Sequence, residues 1–89
     1  MPEPAEHRIK RLAMRSMRRG IKEMDLILSA FATDHLEQMD DAALTLYDDL
    51  LNENDHDLYQ WVTDQVAPPA HFADLIDQIK AQIASARTV

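Results

Sequence analysis

The sequence predicts an all-α domain, a small bundle of about five helices with short loops. Three observations carry that reading. Apolar residues recur at the three- and four-residue spacing of a helix face along most of the chain. No stretch alternates apolar and polar residues as a half-buried strand would. Ala, Leu, Met, Gln and Glu, which lose little side-chain freedom in a helix, dominate the composition. The breaks are local: Gly20, the only glycine in 89 residues, the cluster Asn52-Glu53-Asn54, and Pro68-Pro69.

Residues 1–7 read as a flexible N-terminus, 8–86 as one helical domain and 87–89 as a tail. In the first helix Ile9, Leu12, Ala13, Ser16 and Met17 share a stripe, with arginines between them. The periodicity runs on through Gly20 to Phe31, so length decides where the helix stops. Residues 8–38 as one helix would span ~46 Å, against ~30 Å for a compact domain of this size. The break belongs at Gly20, where glycine's access to the left-handed region predicts a sharp corner.

The second helix carries Met24, Ile27, Leu28, Phe31, His35 and Met39 on one stripe, with Glu23 and Asp25 in a first turn that favours negative charge. It has no evident capping residue. Asp40-Asp41 offers an N-cap for a third helix with Ala43, Leu44, Tyr47, Leu50 and Leu51 apolar. Asp55 starts a short fourth helix with Leu58, Trp61 and Val62, which Pro68-Pro69 ends. Phe72, Leu75, Ile76, Ile79 and Ile83 define the fifth. Asp40, Asp55 and Asp57 read most simply as helix caps, and Trp61 as a core anchor.

Composition narrows the function. The formal charge is −7, but residues 1–24 hold seven Lys/Arg against three acids, and the remainder two against thirteen. An acidic body opposes general nucleic-acid binding. The basic first helix either meets an acidic partner or neutralises its own domain. No run of apolar residues is long enough to cross a membrane, and the N-terminus does not resemble a targeting peptide. The reading is a cytoplasmic protein. The chain has no cysteine, which excludes disulfides and thiolate zinc sites.

Catalytic templates fail in turn. A phosphate-binding loop needs several glycines. His7, His35, His56 and His71 show no metal-ligand spacing. Asp55-His56-Asp57 lacks the glycine and terminal Glu of a calcium loop. No Asp-Ser-Leu marks a phosphopantetheine carrier. No catalytic residue and no metal site are expected, and the chain is not read as an enzyme.

One motif remains. Arg19-Gly20-Ile21-Lys22-Glu23 matches R-G-x-x-E within Arg18-Arg19-Gly20-x-x-Glu23-x-Asp25, with Phe31 six residues further on. Asp40-Asp41, Leu50-Leu51 and Asp55-x-Asp57-Leu58-x-x-Trp61 follow in order. From residue 15 to 62 this resembles the bacterial succinate dehydrogenase assembly factor family. Met24 and Val62 stand where the family usually has Leu.

The resemblance implies a chaperone-like maturation factor. Its client would be the apo flavoprotein subunit of succinate dehydrogenase or fumarate reductase, whose own histidine becomes covalently linked to FAD. Such a factor would act on FAD attachment without stably binding a cofactor itself. It would be a monomer, with neither nucleic acid nor membrane as partner. The client-binding residues would be Arg18, Arg19, Gly20, Glu23 and Asp25.

Arg19 and Glu23 would then face the client, or else form a plain surface pair with Gly20 as a helix stop. As exposed groups, Arg19→Ala and Glu23→Ala would leave the fold nearly intact. The alternative function is a generic protein-interaction or antitoxin-like regulatory bundle.

Overall fold

A computed structural model describes residues 3–87. It is an all-α bundle: α1 (Ala5–Arg15), α2 (Lys22–His35), α3 (Asp41–Leu50), α4 (Asp55–Val62) and α5 (Ala73–Arg87). Short 3-10 turns at Leu36–Gln38 and Ala70–Phe72 lead into α3 and α5. No strand occurs among the described residues. Of the expected N-terminal segment and C-terminal tail, residues 1–2 and 88–89 lie outside the described residues.

The predicted stripes make the core. Met24, Leu28 and Phe31 of α2, Leu44, Tyr47 and Leu50 of α3, Leu58, Trp61 and Val62 of α4, and Phe72, Leu75, Ile76 and Ile79 are all buried. Their rings meet in pairs: Phe31 lies 5.7 Å from Tyr47 and Trp61 lies 6.1 Å from Phe72 between centroids. Fully burying one such side chain contributes about 1.5–3 kcal/mol, so the interior dominates the stability. Asp40 caps α3 as expected, accepting from the Ala43 amide at 2.8 Å.

Several boundaries differ from the sequence reading. α1 begins at Ala5, behind Pro4, and ends at Arg15, well before Gly20. Met17 therefore leaves the helical stripe and stands half exposed. The residue that enters the left-handed region is Arg18, with φ 56°, and Gly20 has no positive φ. α4 likewise ends at Val62, ahead of the proline pair. Asp64 turns left-handed there (φ 63°). The Gln65 amide reaches Gln60 O at 2.9 Å and the Asp64 amide reaches Trp61 O at 3.4 Å. That is a Schellman closure, which satisfies the last carbonyls before the prolines are reached.

α1 is attached differently from its neighbours. Leu12 is its one fully buried apolar side chain among the described residues, and Ser16 at its end is buried and polar. Ser16 Oγ donates to Leu12 O at 2.8 Å and lies 2.6 Å from Tyr47 Oη. Burial pushes the Tyr47 phenol up to about 12.

Ile9 and Ala13 pack on the core from α1 as well, and charge supplies much of the rest. Arg8 pairs with Asp41 at 2.6 Å and bonds Thr45; Arg11 reaches Asp48 at 3.1 Å and Glu3 at 3.0 Å; Arg15 takes Asp48 and Asn52. Arginines three and four apart on α1 face acceptors four and three apart on α3, so both stripes follow from helical spacing. Arg8, Arg11 and Arg15 thus neutralise their own acidic domain.

Two outcomes follow. Trp61→Ala empties a core site and lowers unfolding free energy by about 3–5 kcal/mol, measured by urea denaturation. The hydrogen bond from Arg11, aided by the charges of Arg15 and Arg8, holds the Asp48 carboxyl below its ordinary range against partial desolvation. A depressed native pKa adds stability that is present above the unfolded value, about 3.9, and disappears as pH falls through the native one. The melting temperature should therefore drop as pH is lowered from about 5 toward 2, and Asp48→Asn should flatten that drop.

Candidate functional site

Between α1 and α2 the chain turns through Ser16–Ile21, and every residue of the expected site lies on this turn or the first turn of α2. Arg19 does not project into solvent. Its side chain is 12% exposed, and Nη2 lies 2.7 Å from Asp55 Oδ1. Nε donates to the same oxygen at 2.8 Å, Nη1 to Arg15 O at 3.2 Å and Leu51 O at 3.1 Å, and Nη2 to Glu53 O at 3.3 Å. One planar head thereby ties the end of α1, the free carbonyls after α3 and the first residue of α4. Only a guanidinium presents donors in so rigid a fork, and carbonyls at a helix C-terminus favour a cation.

Gly20 completes the arrangement. Its amide donates to Asp55 Oδ2 at 2.5 Å, and a Cβ on Gly20 would lie 3.2 Å from that oxygen. The glycine therefore serves close approach and not a left-handed turn. Asp55 is not the cap of α4 either. Asn54 holds that position, accepting from the His56 amide at 2.8 Å, which leaves both Asp55 oxygens for the corner. Arg19, Gly20, Ile21, Glu53, Asn54, Asp55 and His56 line a hollow of about 300 Å³ over this junction.

The other expected residues are dispersed. Glu23 is exposed and does not pair with Arg19. It stands on a second hollow, of about 500 Å³, with Leu26, Ile27, Tyr59, Val62 and Ile83. Arg18 is exposed on its left-handed backbone, with no ion-pair partner among the described residues. Asp25 is half-buried and accepts from Ser29 Oγ at 3.2 Å. Leu26, 64% exposed on α2 just past Glu23, is a surface apolar residue that the sequence reading passed over. Asp55 was visible there as a presumed cap and within the Asp55-x-Asp57-Leu58-x-x-Trp61 run, but with nothing to tie it to the corner. Among the described residues no three His, Asp or Glu side chains gather as a metal site would require.

This geometry reverses one expectation. Removing the Arg19 head leaves Asp55 and three carbonyls without their shared partner, so Arg19→Ala should cost about 3 kcal/mol or more. Glu23→Ala should change stability by no more than ~0.5 kcal/mol. Paired thermal melts separate the two.

Comparison with known proteins places this corner in context. A family profile described as flavinator of succinate dehydrogenase matches residues 10–83. Succinate dehydrogenase assembly factor 2-A, mitochondrial, of Drosophila willistoni is 40% identical over 79 residues, 86% of this chain and 50% of that protein. Succinate dehydrogenase assembly factor 2, mitochondrial, of Drosophila grimshawi is 36% identical over 90 residues, covering 98% and 61%. The protein of that name from Saccharomyces cerevisiae strain S288c is 48% identical over 61 residues, covering 68% and 38%. The chain thus spans about half the length of the curated relatives it matches. With the profile running from α1 into α5 and taking in both the Arg18–Asp25 corner and Asp55, the chain belongs to the family of succinate dehydrogenase flavinators.

Proposed function

We propose that the chain binds the apo flavoprotein subunit of succinate dehydrogenase or fumarate reductase and promotes covalent attachment of FAD to a histidine of that subunit. The observation that carries this reading is the family match over residues 10–83, with Arg18, Gly20 and Glu23 of the corner exposed. The same match disfavours the generic or antitoxin-like bundle.

In this reading the partner meets the outward half of the corner: Arg18, the exposed backbone at Gly20, and Glu23 beside Leu26. The factor makes and breaks no bond. It holds the flavoprotein so that histidine and flavin stay in reacting geometry, and orientation of that kind is worth orders of magnitude in rate. The FAD belongs to the partner and is not stably held by this chain.

The chain acts as a monomer in the cytoplasm, away from nucleic acid and membranes. Support comes from α1, whose Arg8, Arg11 and Arg15 are already engaged by carboxylates of the same domain. In addition, no described helix is long and apolar enough to cross a membrane. The matched Drosophila willistoni and yeast relatives are mitochondrial proteins.

The test is co-production of the flavoprotein subunit with and without the chain, read by pull-down and by in-gel flavin fluorescence. The chain should co-purify with the subunit and raise covalent flavin. Arg18→Ala combined with Glu23→Ala should weaken capture about tenfold or more, a loss of roughly 1.4 kcal/mol, with melting unchanged. Full flavinylation in its absence would sink the proposal.

A further inference from the structure

We infer that Asp55 is the positioning residue of the partner-facing corner: a carboxylate that never touches the partner but sets the direction in which Arg18 and the start of α2 are presented. The inference rests on the functional reading above. It concerns a residue outside the R-G-x-x-E signature, distant from it in sequence and joined to it only by folding.

Four observations converge on it. Asp55 is free of the cap position, because Asn54 supplies the capping oxygen to the His56 amide. Its two oxygens are divided between adjacent residues of the corner, Oδ1 to the Arg19 head and Oδ2 to the Gly20 amide. Its side chain is 14% exposed and so offers a partner little surface. Finally, Ser16 is buried and Ile21 packs on the core, but Met17, Arg18 and Gly20 between them are exposed, so the middle of the turn has little packing of its own. An acceptor behind the middle of the turn supplements the packing at its two ends.

The glycine makes sense on these terms. A Cβ at position 20 would sit 3.2 Å from Oδ2, and that oxygen cannot easily yield while Arg19 holds its twin. The corner's backbone and the Asp55 carboxylate are matched parts. If they separate, Arg18 and Glu23 keep their chemistry but lose their mutual placement, and a partner must then order them on binding at a cost in affinity.

The experiment compares the unmodified chain with Asp55→Asn, which keeps shape and loses charge, and Asp55→Glu, which keeps charge and displaces the carboxylate by one methylene. Ile79→Val, a substitution of a buried α5 residue that does not line the hollow over the corner, serves as the stability control. Binding to purified apo flavoprotein subunit is measured well below the melting transition. Gly20, the only glycine, gives a single glycine amide resonance that reports the bond to Asp55.

Asp55→Asn should shift that resonance and weaken binding at least tenfold with helical content retained. Asp55→Glu should also weaken binding, and Ile79→Val should stay within twofold of the unmodified chain at a comparable loss in melting temperature. Equal weakening by Ile79→Val would make Asp55 merely structural and overturn the inference, as would undiminished binding by both Asp55 variants. If the unmodified chain binds no flavoprotein, the functional reading itself is overturned. An unshifted Gly20 resonance in Asp55→Asn would mean that Asp55 does not hold the glycine, and would overturn the inference as well.

Discussion

The Arg19 guanidinium lies against the Asp55 carboxylate with little water around either, the two side chains being 12% and 14% exposed. Taking both ions out of solvent is costly, and their attraction offsets that cost only where the remaining donors and acceptors are also satisfied. Here they are. The guanidinium serves carbonyls at the ends of α1 and α3, and the carboxylate takes the Gly20 amide as well. Three chain segments, the end of α1, the stretch after α3 and the start of α4, are thereby joined through two side chains. The course of the α1–α2 turn, the starting point of α2 and the setting of α4 all depend on that junction.

The charge distribution follows the same logic at lower intensity. α1 contributes few buried apolar side chains and is fastened along α3 by Arg8, Arg11 and Arg15. Single exposed pairs of this kind are worth little. A network in which two arginines share Asp48 is worth more, because ordering one carboxylate serves both. The basic first helix on an acidic body is therefore chiefly internal complementarity. Lys10, Arg18 and Lys22 are the exposed cations left without a carboxylate among the described residues of this end. Two of the three flank the corner, one on either side of Arg19-Gly20.

Most of the fold was legible because its information is local. A stripe such as Met24, Leu28 and Phe31 announces both a helix and the face it buries, and Asp40 announces a cap through the chemistry of its own side chain. The errors share one cause. Whether Gly20 is needed for its φ or for its missing Cβ depends on where Asp55 lies, 36 residues from Arg19. Whether Asp55 or Asn54 caps α4 depends in turn on whether the corner claims the aspartate. The left-handed turns at Arg18 and Asp64 fall on residues that enter that region less readily than glycine. Their own chemistry gives weak notice of it. The motif was visible in the sequence, but the division of labour within it was not.

That division explains how two adjacent arginines come to have opposite roles. The positive φ at Arg18 ends the continuation of α1 and leaves its side chain in solvent, while Arg19 turns inward and is fully engaged. Lysine at position 19 would bring one compact charge where a planar fork now reaches two helix ends and a carboxylate at once. The R-G-x-x-E signature is accordingly two layers and not one patch. Arg19 and Gly20 form a framework closed by Asp55, and Arg18 and Glu23 form a contact layer standing on it. A factor that works by holding another protein in a reactive arrangement needs both, since contacts on an unfixed turn would be offset by the entropy of ordering them. Where the middle of a turn is too exposed to pack on the core, a largely desolvated charge pair behind it can fix its course, and that is the arrangement this chain adopts.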